Sequence, residues 1–156
     1  MKKFGIWFDF KIQSESEWIK FFDKLEDVNI SECFINANAS QLSYLISLSK
    51  NYNFNIHGWV WTLNRPYDEN SSKNLDWYSV NKNGQNSYEY RPYVDYYQWL
   101  SPFSEGARDY IKGNISKIAS VDGLSSVHLD YVRYCDVFLP KNLQKYYSLN
   151  QTHEFP

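Results

Sequence analysis

This sequence has little that would serve metal, nucleic acid or membrane. It holds 2 cysteines and 3 histidines in 156 residues. Cys33 and Cys135 are too few for a disulfide scaffold and lack the spacing of metal ligands. His57, His128 and His153 are equally scattered, so no structural zinc site is expected. Lys and Arg number 16 against 18 Asp and Glu, a net charge of −2, and the basic footprint of a DNA- or RNA-binding protein is missing. No apolar run approaches the ~20 residues that span a bilayer. The N-terminus begins basic, but Asp9 interrupts it before a signal-peptide core could form, which leaves the compartment undetermined. Nothing matches a dinucleotide fingerprint or a Walker motif, so nucleotide binding is the weaker reading and no cofactor is implied.

Aromatic residues, by contrast, are abundant. They make up 19% of the chain, with 6 Trp, 14 Tyr and 10 Phe, too many for a disordered polypeptide. A hydrophobic fraction of 43% permits a real core, and the length suits a single domain, 1–156.

Four short apolar runs alternate with helical patterns. Residues 3–10, 32–37, 55–62 and 124–133 read as strands. Ser14 followed by Glu17 is a capping box, and Trp18, Phe22 and Leu25 then fall at i, i+4 and i+7, which predicts a helix over roughly 14–27. Ser40 is placed to cap a second helix with Leu42, Leu45 and Ile46 on one face. A third runs from about 105 to 119, where Gly113 weakens it by about 1 kcal/mol relative to Ala. This alternation predicts an α/β fold with a parallel sheet.

Within the strands, parity separates two faces. Gly5, Trp7 and Asp9 oppose Phe4, Ile6 and Phe8, and Phe34 and Asn36 oppose Cys33 and Ile35. His57, Trp59 and Trp61 oppose Ile56 and Val60, and Ser126, His128 and Asp130 oppose Val127 and Leu129. A doubly wound sheet buries aliphatic residues on both faces. A (β/α)8 barrel instead turns polar and aromatic groups inward, toward a site at the C-terminal ends of its strands. The pattern favours the barrel.

The stretch Val121-Asp122-Gly123-Leu124-Ser125-Ser126-Val127-His128-Leu129-Asp130-Tyr131-Val132-Arg133-Tyr134 resembles the fourth-strand signature of a glycoside-hydrolase-like barrel family, the family-10-like glycosyl hydrolases. Tyr90-Arg91-Pro92-Tyr93, Trp99-Leu100-Ser101-Pro102 and Arg108-Asp109-Tyr110-Ile111 follow that family's order. The sequence departs from it at the two serines before the His128 block and at Cys135, where proline is common. The resemblance implies a TIM-type barrel acting on O-glycosidic bonds of an oligo- or polysaccharide, with Asp130 as a catalytic carboxylate. A complete barrel needs about 250 residues, so the chain is expected to form the N-terminal half of one, truncated, with open sheet edges for a partner or a missing C-terminal half to cover. The general acid of amylase-type barrels comes from a later strand, which leaves a non-catalytic glycan-binding or remnant half barrel as the alternative.

The residues themselves leave choices open. Asp130 is either that carboxylate or a structural one, pairing with Arg133 or capping the next turn. Asp9 suits a sugar hydroxyl better than acid catalysis, and His128 suits a hydroxyl or a partner for Asp130. Arg133 has the fork to hold a carboxylate, that of Asp130 or of an acidic sugar. Sugar C–H faces pack on aromatic rings. Trp61, nearest its strand's end, is the expected platform, joined by Trp99, while Trp7, Trp59 and His57 read as core. Residues 63–103 form a connection of roughly 40 residues where ~2–6 are usual. This connection is either a glycan-contacting wall or a mini-subdomain whose aromatics pack on one another. Asn83-Gly84 marks a hairpin turn inside it.

Overall fold

The computed structural model describes residues 3–91 and 95–135. Strands β1 (Phe4–Asp9), β2 (Ile30–Asn36), β3 (Asn55–Trp61) and β4 (Ser126–Asp130) form one all-parallel sheet in the order β1-β2-β3-β4. Helices α1 (Glu15–Asp27), α2 (Ala39–Leu48) and α3 (Glu105–Ala119) lie between them in the chain. The chain divides into two compact units. Among the described residues the first runs to Val60 and includes Gly113–Asp130, and the second comprises Trp61–Lys112 with Tyr131–Cys135.

In the first unit the helices start where the sequence allows their orphan N–H groups to be satisfied. Ser14 caps α1, its side chain accepting from the Glu17 N–H while the Glu17 carboxylate accepts from the Ser14 N–H at 2.8 Å. For α2 the cap is Asn38 and not Ser40. Asn38 Oδ1 accepts from the Gln41 N–H at 3.0 Å, and the Asn38 N–H donates to Gln41 Oε1 at 2.9 Å. An Asn with Gln three residues on closes a reciprocal box there, so the helix begins one residue before Ser40. Strand β2 starts at Ile30, earlier than expected, because Phe4 already pairs with Ile30. Strand β4 ends at Asp130 and not at Arg133, because Tyr131 takes a left-handed φ of 52° that breaks the extended run.

One core holds this unit together. Trp18, Phe22 and Leu25 of α1 and Leu42 and Leu45 of α2 are buried with Cys33, Ile35 and Ile56 of the sheet. Ile6, Phe8 and, from the end of α3, Ile118 pack against them. These strand residues share one parity, so the three helices cover one face of the sheet. Gly58 makes their close approach possible: a Cβ there would lie 2.5 Å from Ile118 Cγ2 and 3.3 Å from Leu42 Cδ1.

The second unit shows what the long connection is for. Its aromatics do pack on one another: Tyr78, Tyr97, Trp99 and Leu100 are buried. Among the described residues between β3 and α3, regular structure is sparse, limited to two 3-10 turns and the antiparallel bridges Asn64–Trp99, Tyr78–Leu100 and Val80–Asn86. Side chains therefore satisfy backbone groups that a ladder would otherwise pair. Asn64 Oδ1 accepts from the Gln98 N–H at 3.0 Å, and the Ser87 hydroxyl donates to the Trp99 carbonyl at 2.7 Å. Asn83-Gly84 forms the expected turn, with Gly84 at φ 79°. Asp68 anchors the start of the unit. It accepts from Arg65 Nη2 at 2.6 Å, from the Tyr110 hydroxyl at 2.8 Å and from the Ser71 N–H at 3.0 Å. Burial pushes its carboxyl up, but the Ser71 amide, the Arg65 guanidinium and the Tyr110 hydroxyl together bring it below the ordinary carboxylate value.

Candidate functional site

The sheet face away from the helices carries the other parity of each strand. On it Trp7, Phe34 and His57 stack in a row across β1, β2 and β3. Ring centroids lie 4.6 Å apart between Trp7 and Phe34 and 4.6 Å between Phe34 and His57. From β4, His128 meets Phe34 edge-on at 5.0 Å and Trp7 at 6.0 Å. Three strand spacings of about 4.8 Å would hold β1 and β4 some 14 Å apart in a flat sheet. The Trp7–His128 approach therefore has both side chains leaning inward over Phe34, as on a face that curves in on itself.

The carboxylates expected at the strand ends are each held by a neighbouring strand. Asn36 Nδ2 donates to Asp9 Oδ1 at 2.9 Å, joining the last residues of β1 and β2. Trp59 Nε1 donates to Asp130 Oδ2 at 3.1 Å, joining β3 to the end of β4. The first unit thus gathers Asp9, His128 and Asp130 on one face, with indole and amide donors fixing both carboxylates.

Trp7 was expected to be core, yet it is 50% exposed. Phe34 covers one face of its indole and His128 meets it edge-on, which leaves it half-exposed. Parity placed Trp7 on the inner face. The sequence alone could not say whether anything would cover it there. Trp59 was also read as core, and its role as the Asp130 donor depends on a register between β3 and β4 that no periodicity reports.

In the second unit, Trp61 packs against Tyr131 at 5.0 Å and Tyr96 at 6.5 Å. The Arg133 guanidinium lies 5.1 Å from the Trp99 ring centre and 5.6 Å from that of Tyr131. Trp99 is 1% exposed, enclosed with Tyr97 and Tyr131. The ring expected as a sugar platform thus packs edge-on against Tyr97 and Tyr131 within this unit.

The parity pattern contains a second constellation that residue-by-residue reading missed. Glu32 Oε2 lies 2.8 Å from His57 Nε2, and His57 Nδ1 lies 2.7 Å from Ser126 Oγ. Glu32 also accepts from Lys3 Nζ at 3.1 Å and Asn55 Nδ2 at 3.1 Å. The His57 bond, aided by Asn55 and Lys3 against the cost of burial, holds the Glu32 carboxyl down at about 2 from an ordinary 4.5. Sequence parity puts His57 and Ser126 on the same face, but their meeting depends on register across β3 and β4.

Among the described residues no group of three or more His, Cys, Asp or Glu is placed to hold a metal ion. Among them, too, no helix is long and apolar enough to cross a membrane. Burial pushes the Cys33 thiol up to about 12, which leaves it protonated and inert as a nucleophile. Compared with known proteins, the sequence matches no protein-family model and no curated protein.

Proposed function

We propose that the curved inner face of this sheet is the glycan-binding surface of a carbohydrate-active protein, built as part of a (β/α)8 barrel, with Asp130 as its catalytic carboxylate. The observation that carries this reading is the combination on one concave face of a half-exposed indole, Trp7, with two carboxylates fixed at strand ends. A pyranose ring needs such a mixture: an aromatic surface for its C–H face and fixed acceptors for its hydroxyls. The chain-ordered parallel strands support the barrel, since doubly wound sheets reverse order at a switch point.

In this reading the Trp59 indole N–H holds Asp130 in place, with its charge directed at the anomeric carbon of a bound sugar. Asp9, oriented by Asn36, binds a hydroxyl, as does His128. Hydrolysis calls for two carboxyl groups, ~5–5.5 Å apart for retention and ~6.5–9.5 Å for inversion. The general acid of amylase-type barrels comes from a later strand, which gives the second reading, glycan binding without turnover, its own support.

The test offers the full chain cello-, xylo-, malto- and chito-hexaose between about pH 4 and about pH 9, measuring reducing ends and, by calorimetry, binding. The proposal expects turnover with one series and its loss in Asp130→Asn by roughly two orders of magnitude or more, with affinity nearly kept. Binding without any cleavage would leave the second reading standing and remove the catalytic role. Absence of both would overturn the carbohydrate reading.

A further inference from the structure

Glu32, His57 and Ser126 form a hydrogen-bonded chain across β2, β3 and β4, at 2.8 Å and 2.7 Å. The chemistry of the partners fixes the protons. An ionised carboxylate only accepts, so His57 Nε2 must donate to Glu32. In neutral imidazole Nδ1 then carries the lone pair, and it accepts from the Ser126 hydroxyl. Three donors hold Glu32 ionised: His57, Asn55 and Lys3. The stack of His57 on Phe34, at 4.6 Å and 18° between planes, fixes the ring's orientation. The result is a nucleophile, a base and an orienting carboxylate in series, and Ser126 is exposed.

From this geometry we propose that Ser126 is a catalytic nucleophile for carboxylic esters, with His57 as its general base and Glu32 as the positioning residue. The Phe34 and Trp7 rings beside His57 form an apolar wall for the acyl or aryl part of the ester. Ser126 Oγ attacks the ester carbonyl carbon as its proton passes to His57 Nδ1. The carbonyl–alkoxy bond breaks, the leaving alcohol takes the proton from His57, and an acyl-Ser126 remains. Water then adds to that acyl group, giving up a proton to His57, and the carboxylic acid departs as the proton returns to Ser126 Oγ. Ser126 opens β4 and Asp130 closes it, some 13 Å apart at the rise of an extended strand, so the two reacting groups are separate even though both sites border the Trp7 and Phe34 rings, and this one does not rest on the glycan reading.

The full chain is treated with a fluorophosphonate probe and, separately, with p-nitrophenyl acetate. The proposal expects one phosphonyl group per chain, located on Ser126 by peptide mass spectrometry, and measurable ester hydrolysis. Ser126→Ala abolishes both. Glu32→Gln, which keeps an acceptor but loses the charge, slows hydrolysis by roughly ten- to a thousandfold, with kcat falling more than KM rises. Circular dichroism confirms that both variants are folded. No label on the wild type, or labelling and hydrolysis that survive in folded Ser126→Ala, would overturn the assignment.

Discussion

Trp7 on the first strand of the sheet and His128 on the last have ring centroids only 6.0 Å apart. Four strands laid flat would bring them together only with both side chains leaning fully inward, so this contact fits a curved sheet with their shared face inside. With Phe34 between them, the two rings make the floor on which the glycan reading depends.

Trp7→Ala is accordingly expected to weaken oligosaccharide binding by roughly two- to tenfold, from aromatic packing of ~0.5–1.5 kcal/mol. Trp7→Phe should keep most of the affinity. Isothermal calorimetry with the hexaose that binds best separates the two; equal affinities for wild type and Trp7→Ala would exclude this ring from the surface.

The Trp59–Asp130 hydrogen bond makes a prediction about stability that needs no ligand. Trp59→Phe removes the indole donor to a carboxylate and should cost ~1.5–3 kcal/mol, read from urea unfolding. Asp130→Asn retains an acceptor oxygen and should cost less than Asp130→Ala. The reverse ranking would mean that the bond contributes little.

Gly58 lies where β3 meets α2 and the end of α3. An added Cβ, 2.5 Å from Ile118 Cγ2, must displace that side chain. Gly58→Ala should destabilise the fold by ~1–3 kcal/mol through overpacking. Pairing it with Ile118→Val should recover part of the loss, and a double-mutant cycle measures the coupling.

Such particulars mark the limit of what the sequence disclosed. The capping box at Ser14 and Glu17, the apolar spacing of Trp18, Phe22 and Leu25, and the strand parities depend on neighbours close in the chain, and they appeared where expected. Asn38 was passed over as the α2 cap because Ser40 and Asn38 are both acceptable cap residues, and only the partner Gln41 decides between them. Pairings across strands were invisible: Trp59 with Asp130, Asn36 with Asp9 and His57 with both Glu32 and Ser126 all depend on inter-strand register. The aromatic segment after β3 could be recognised as too long for a simple connection. Whether its rings faced a ligand or one another turned on packing, and Trp99 shows the latter.

Glu32 gives the fold an acid-sensitive tie. Its carboxyl is held at about 2 in the folded chain against an ordinary 4.5. Below that ordinary value the unfolded chain takes up a proton that the folded chain does not. This contribution is therefore complete above about pH 4.5 and is lost as pH falls toward about 2. It amounts to ~2 kcal/mol at most, given partial exposure and solvent screening. Glu32→Gln should flatten this part of the stability–pH curve measured by urea unfolding, and an unchanged slope would show that Glu32 is not its source.

The most direct test of the glycan-binding face follows the indole N–H resonances of the 6 tryptophans during titration with the four hexaoses. The account predicts that one series shifts the Trp7 and Trp59 signals in a saturable way while the buried Trp18 and Trp99 stay still. Shifts confined to other tryptophans, or none with any series at millimolar sugar, would contradict it.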